Sequence, residues 1–459
     1  ISSILVATWV TYHFNGSPQT GVDDANIFFS YAENLAAGHG LVYGHNPEHV
    51  EGFTSMLWAL ICAMVFKAGF GETGVLVASI LLLCVVQIIF LQIIRGEATA
   101  RRQKAWPYEC AYLLLVFSSP AYIAWMTITL MDTCLWGFLL AGLTFYTVYP
   151  PLTVRNRCLA MLLFLLAPLA RPEAMLVVPA IAGLIWIRAQ STVHPHAREL
   201  FFTMIAIFAV SVIALTTFRL FYFGFPFPNT FYAKVSASLA YNLKEGGAYL
   251  YDFMTSGPIV GICAVSAIFV AALSLGGVFR LIPIRQQGAV VQAKPVEAQS
   301  VVALVAVLLL LVPVLNGGDH FLMFRFFQPA FPLLCLLAVL LSIKAGLFSE
   351  GIFTTAVMDR HRMFRMLRVT APVVAAGILL VYEYDTAWSR MQRRSPRDTI
   401  AHEFRIASDG LAQGQKLKNL FSGLPRLPAI GVITAGSIAR TYPGPIVDLM
   451  GLNNTVIAH

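Results

Sequence analysis

Long apolar runs alternate with short polar connections along most of this chain, and the polar connections are of two chemical kinds. Runs near 73–94, 107–126, 133–149, 200–221, 259–279, 301–315, 330–344 and 370–384 approach the roughly 20 residues that cross a bilayer core. The stretch 1–13 reads as the outward end of a first span, and its shortness leads us to expect further residues before Ile1. Two shorter runs, 159–170 and 175–187, meet at Arg171-Pro172-Glu173 and predict a helix pair whose apex lies within the membrane thickness. Together these give about eleven spans.

Between the first two spans lies a long polar loop. Within it, Phe28, Tyr31, Ala32 and Leu35 recur at helical spacing and predict an interfacial helix, which Ala37-Gly38-His39-Gly40 then breaks. The run 53–66 is apolar enough to be taken for another span. Charge argues otherwise: if it crossed, Arg95, Arg101, Arg102 and Lys104 would lie outside, against the positive-inside bias. It reads as a second juxtamembrane helix. With that choice Arg155, Arg157, Arg188, Arg198, Arg280, Arg285, Lys294, Lys344, Arg360, Arg362, Arg365 and Arg368 all fall inside. The outer loops before the tail keep only Lys67, Lys234, Lys244 and Arg325, so the N-terminus is expected inside and the C-terminus outside.

Composition agrees with a multi-pass membrane protein: 58% of residues are hydrophobic and 12% charged, against about 25% charged in soluble domains. The net charge of +8 sits in loops between spans, which favours membrane orientation and lipid headgroups over nucleic acid. The seven cysteines lie in or beside apolar runs without paired spacing, so neither a disulfide frame nor a zinc site is indicated. Residues 1–386 form the membrane domain. The tail, 387–459, reads as a small extracytoplasmic α/β segment with strands at 429–434 and 445–449.

Candidate chemistry collects in the outer loops. Asp23-Asp24 opens the interfacial helix; the pair suits the positive end of a helix, a general base for an acceptor hydroxyl, or a divalent cation. Arg171-Pro172-Glu173 is either a self-paired turn or an anion site at membrane depth. Arg325, with Asp319 and His320 beside it, is either a snorkelling arginine or, with Lys234, a phosphate clamp. Phe231 and Tyr232 suit an aromatic belt, and Asp448 with Asn453-Asn454 suits a turn.

The order of several motifs resembles a known family. Val22-Asp23-Asp24-Ala25-Asn26-Ile27, Gly38-His39-Gly40-Leu41-Val42-Tyr43 and Val50-Glu51-Gly52-Phe53-Thr54-Ser55 look like the start of bacterial GT-C glycosyltransferases. Arg171-Pro172-Glu173, Pro228-Asn229-Thr230-Phe231-Tyr232-Ala233-Lys234, Gly317-Gly318-Asp319 with Arg325, and Asp448-Leu449-Met450-Gly451 extend the likeness over nearly the whole chain. More specifically, it is similar to the group that includes the mycobacterial terminal β-(1→2)-arabinofuranosyltransferase.

The resemblance implies an α-helical, GT-C-like enzyme of the bacterial inner membrane, active on its outer face. It would move one sugar, with inversion, from a polyprenyl-phosphate donor to an envelope glycan or a glycoprotein such as a pilin. The family's catalytic aspartate maps onto Asp23 or Asp24, with Asp23 preferred. Lys234, Arg325, Arg171 and His320 are expected at the donor phosphate, and Glu51, Asn229, Tyr232 and Asp319 at the substrate. No cofactor is required on this reading, and a divalent cation stays open. Two departures stand out: Met131-Asp132-Thr133 replaces the usual Gly-Leu-Glu-Thr, and the tail is short. A lipid-linked sugar transporter and a ligase moving a preassembled glycan are the alternatives.

Overall fold

A computed structural model describes residues 1–45, 48–191, 197–236, 238–278, 296–319, 321, 323–348 and 400–459. The chain begins with α1 (Ser2–Phe14), followed by α2 (Asp23–Ala36) and α3 (Met56–Lys67) in the first long loop. Then come α4 (Gly71–Ala100), α5 (Trp106–Phe117), α6 (Pro120–Met126), α7 (Thr133–Val148), α8 (Val154–Ala170), α9 (Ala174–Ser191) and α10 (Ala197–Tyr222). Short helices α11 (Asn229–Lys234) and α12 (Leu239–Met254) precede α13 (Pro258–Val278), α14 (Ala298–Leu315), a 3-10 turn at Arg325–Phe327, and α15 (Phe331–Ala345). The tail holds α16 (Ile400–Leu420), β1 (Ile430–Val432), α17 (Ile438–Thr441), β2 (Ile446–Asp448) and α18 (Thr455–Ala458).

This is an α-helical polytopic membrane protein. By length and hydropathy α4, α10, α13 and α14 each suffice to cross a membrane, and α3, α7, α9 and α15 are shorter apolar helices. The spanning helices are apolar on both faces because one packs inward and the other meets lipid. On α4, Leu83, Val86, Phe90 and Ile93 are buried, whereas Val77, Leu81, Val85 and Ile88 are exposed. The expected eleventh span, 370–384, and the expected domain boundary at 387 lie outside the described residues.

One expected span differs in shape. Residues 107–126 form two helices, α5 and α6, bent by 80°. The break falls at Ser118-Ser119-Pro120. Proline disfavours helical backbone in the residue before it, and Ser119 is extended, accepting a bond from the Tyr122 amide as the N-cap of α6. The paired helices at Arg171-Pro172-Glu173 are 17 and 18 residues long rather than about 12. The connection between the runs 200–221 and 259–279 holds α11 and α12; Asn242, Gly246, Tyr249 and Phe253 of α12 are buried at helical spacing.

The juxtamembrane helices form as expected. α2 and α3 pack on each other, and α3 is opened by Ser55, whose hydroxyl accepts from the Trp58 amide. In the tail, β1 and β2 pair in parallel, Val432 opposite Asp448, while α16 and α17 lie on α2. The connections α1–α2, α6–α7, α8–α9 and α14–α15 meet at one end of the frame. At the other end the Gln103 amide donates to the Ile343 carbonyl, Arg188 to the Val148 carbonyl, and Lys344 pairs with Glu297.

Candidate active site

The tandem aspartates occupy the first turn of α2, where unpaired helix amides favour negative charge. Gly21 sets the approach: its φ is +67°, and a Cβ there would lie 2.5 Å from the Thr129 carbonyl oxygen. Adjacent positions on a helix point about 100° apart, so the two acids face different surroundings. Asp23 is buried and turned to the tail. It accepts from the Gly436 amide (2.9 Å), the Ser437 amide (2.9 Å) and the Ser437 hydroxyl (2.7 Å). Burial pushes its carboxyl up, although those three bonds pull the other way.

Asp24 turns instead toward cations. One of its oxygens lies 3.4 Å from Arg325 Nη1 and 3.6 Å from Lys234 Nζ, and its side chain keeps 21% of its surface exposed. Arg325 is nearly enclosed, paired with Asp319 at 2.8 Å. Its guanidinium carbon lies 4.5 Å from the centre of the Phe321 ring and 4.9 Å from that of Phe326, which favours a planar cation over an ammonium. Two successive residues in the left-handed region, Met323 (φ 63°) and Phe324 (φ 54°), lead into it; such backbone is held only where surrounding contacts fix it.

Behind Arg325 stands Arg171. It donates to Asp132 (2.9 Å) and to both oxygens of Glu173 (3.0 and 2.7 Å), and lies over Phe326. Asp132 and Glu173 are thus the two acids that answer this arginine. Arg171, Glu173 and Arg325 line a narrow cleft, with room for about one water molecule, together with Thr133, Trp136, Leu309, Val312, Pro313, Phe326 and Pro329. Two cations and one acid thus share a lining that is otherwise mostly apolar.

No family model and no curated protein matches the chain. A solved structure does: ArnT from Cupriavidus metallidurans, bound to undecaprenyl phosphate. It superposes with a TM-score of 0.56 at 12% sequence identity, over 99% of this chain and 87% of that one. The chain has a GT-C fold.

Within this GT-C frame the other expected site residues fall into separate groups. Asp24, Lys234, Arg325 and Asp319 come together, and Arg171 adjoins them. Glu51 is buried and bound through both oxygens to Arg219 of α10, at 2.7 and 2.8 Å; burial outweighs the arginine and pushes its carboxyl up to about 6. Asn229 donates to the carbonyls of Gly451 (2.6 Å) and Leu452 (3.1 Å), and its amide to that of Glu51 (3.0 Å). Both therefore tie the first loop and the tail to the frame. Tyr232 joins an aromatic group with Phe225, Phe231 and His459. His320 lies outside the described residues. In the tail Asp448 closes a turn, accepting from the Met450 and Asn453 amides.

Sequence reasoning missed Arg219, whose signal was a lone charge near the end of an apolar run, a position that calls for a partner. It also missed Glu403 of α16. Burial, then Asp24 and Asp23, push its carboxyl up to about 7. Among the described residues no three His, Cys, Asp or Glu side chains gather as a metal-holding group.

Proposed function

We propose that this protein is an inverting membrane glycosyltransferase that moves one sugar from a polyprenyl-phosphate donor to an acceptor hydroxyl. The observation that carries the reading is Asp24, partly exposed and facing Arg325 and Lys234, next to a narrow cleft whose lining is otherwise mostly apolar. The phosphate of a prenyl donor suits those cations. The GT-C fold shared with a lipid-phosphate-bound protein supports the same assignment.

In the proposed reaction the donor phosphate competes with Asp24 for Arg325 and Lys234 and so releases the carboxylate. Asp24, rather than the amide-bound Asp23, takes the acceptor proton as the acceptor oxygen attacks the anomeric carbon. The carbon–oxygen bond to phosphate breaks with its electron pair going to the phosphate oxygen. Fixed cations stabilise that growing charge, and Arg171, held by Asp132 and Glu173, supports Arg325 from behind. Arabinofuranose is the proposed sugar, and an envelope glycan or a glycoprotein such as pilin the proposed acceptor, by sequence resemblance. The Arg- and Lys-rich connections at the other end of the frame support placing the site on the outer face of the inner membrane. Charged groups collected at one end, instead of the midplane, weigh against a transporter.

The test is transfer by the purified protein in lipid nanodiscs, offered polyprenyl phosphates carrying different single sugars, with product mass as readout. One added pentose supports the reading. Transfer of a preassembled glycan, or of nothing from any polyprenyl-phosphate sugar, overturns it.

A further inference from the structure

Where α1 ends and α4 begins, at the same end of the frame as Asp24, lies a cavity of about 380 Å³ that the proposed reaction does not use. Its volume falls among those of small-molecule sites, about 300–1,000 Å³. Tyr12, Gln19, Thr20, Glu72 and Thr73 give its wall an aromatic ring, an amide, hydroxyls and a carboxylate. More of that wall is polar than apolar, so it does not suit a prenyl chain.

Charge narrows the occupant further. Behind the wall Arg440 of α17 donates to Glu72 (2.6 Å) and to Glu33 (3.0 Å). One cation is thus shared between two acids, which leaves no positive charge for a phosphate or carboxylate ligand. A neutral polyhydroxyl molecule fits: its hydroxyls can donate to Glu72 and exchange hydrogen bonds with Gln19, Thr20 and Thr73.

The cavity is also joined to the proposed site through two short segments. Arg440 donates to Asn26 Oδ1 (2.7 Å), and the Asn26 amide to the Thr20 carbonyl (3.0 Å), so the tail that binds Asp23 also steadies the cavity wall. On the other side the centre of the Trp125 ring lies 5.7 Å from the Arg325 guanidinium carbon, and Ile128 and Leu130, a few residues on, line the cavity. Leu130 is held in the left-handed region at φ 59°, backbone that persists only where contacts fix it. From Thr20 to Asp24 the chain spans at most ~14 Å. An acceptor a few sugar units long bridges that gap.

We propose that this cavity binds an inner sugar unit of an oligosaccharide acceptor, whose terminal hydroxyl then lies at Asp24. This rests on the glycosyl-transfer reading above and names the class of acceptor for it. The experiment compares an arabinofuranose trisaccharide with the monosaccharide, using the full chain in nanodiscs, by equilibrium binding without donor and by steady-state kinetics with it. Wild type should bind the trisaccharide and prefer it over the monosaccharide in kcat/KM. In the double variant Gln19→Ala with Thr73→Ala, both at exposed positions, that preference should fall about tenfold, through KM rather than kcat, as two hydrogen-bonding partners are lost. A wild type without the preference, a preference unchanged in the variant, or transfer to a hydroxyl-bearing peptide alone overturns the proposal. If transfer continues while the variant keeps the wild-type preference, the sugar subsite falls and the transferase reading stands. If the variant loses trisaccharide binding but no donor supports transfer, the subsite stands and the transferase reading falls.

Discussion

Asp24 stands 3.4 Å from the Arg325 guanidinium, while its neighbour Asp23 is bound to the Gly436 and Ser437 amides more than 400 positions along the chain. The tandem acids therefore divide their work, and replacing each by asparagine should separate it. Asp24→Asn should lower transfer by about 10²–10⁴-fold, the usual contribution of a general base, with little change in melting temperature. Asp23→Asn loses hydrogen bonds to a charged acceptor, at about 1.5–3 kcal/mol each, and sets an amide donor against amide donors. It should lower the melting temperature and expose the tail to protease. Full activity in Asp24→Asn would move the base assignment elsewhere.

Arg325 is held between aromatic rings and Asp319, so its shape counts as well as its charge. Arg325→Lys keeps the charge but not the planar fork, and it forfeits ring contacts of roughly 0.5–2 kcal/mol. The expected result is a KM for the polyprenyl-phosphate donor raised by about tenfold or more. A prenyl analogue lacking phosphate has no leaving group and can act only as a competitive inhibitor, and its inhibition constant should be indifferent to the change. Steady-state kinetics of the donor, with and without that inhibitor, checks this.

Much of this arrangement was legible in the sequence where the physics is local. Apolar runs announced α4, α10, α13 and α14, and the i, i+3, i+4 pattern announced α2. The Ile/Val-rich stretches around 430 and 446 announced the two strands. What stayed hidden depends on distant partners or on masking. Hydropathy runs unbroken through Ser118-Ser119-Pro120, so the apolar signal of one span covered the proline that breaks it into α5 and α6. Glu51 and Arg219 are 168 positions apart, and nothing near either one names the other. Which aspartate meets the cations follows from where residues 436–437 dock, a tertiary fact that two adjacent acids do not encode.

Gly436 gives a test of that docking independent of charge. A Cβ on this residue would lie 1.9 Å from the Asp23 backbone carbonyl oxygen, far inside contact distance, so Gly436→Ala must push the tail off the start of α2. Activity and protease resistance of residues 400–459 should fall together. Gly423→Ala, where a Cβ meets nothing within 4 Å, should leave both unchanged. Limited proteolysis followed by mass spectrometry reads the difference.

Glu51 and Arg219 are both buried, and the energetics of such a pair run against intuition. Removing one partner strands the other as an uncompensated buried charge, so Arg219→Ala should cost about 3–5 kcal/mol. Replacing both by neutral side chains of similar size, Glu51→Gln with Arg219→Met, should cost much less, since neither charge is then desolvated. The pH dependence follows from the same burial. Glu51 is pushed up to about 6 from an ordinary value of 4.5, so between those values the folded protein binds more protons than the unfolded chain. Its contribution is then fully present below pH 4.5 and is lost as pH rises through 6, a change of about 2 kcal/mol. Melting temperatures measured across this window should decline with rising pH in the wild type, and the decline should shrink in the double variant. A wild-type melting temperature that instead climbs from pH 4.5 to 6, with the same climb in the double variant, would show that Glu51 is not the group that sets the slope.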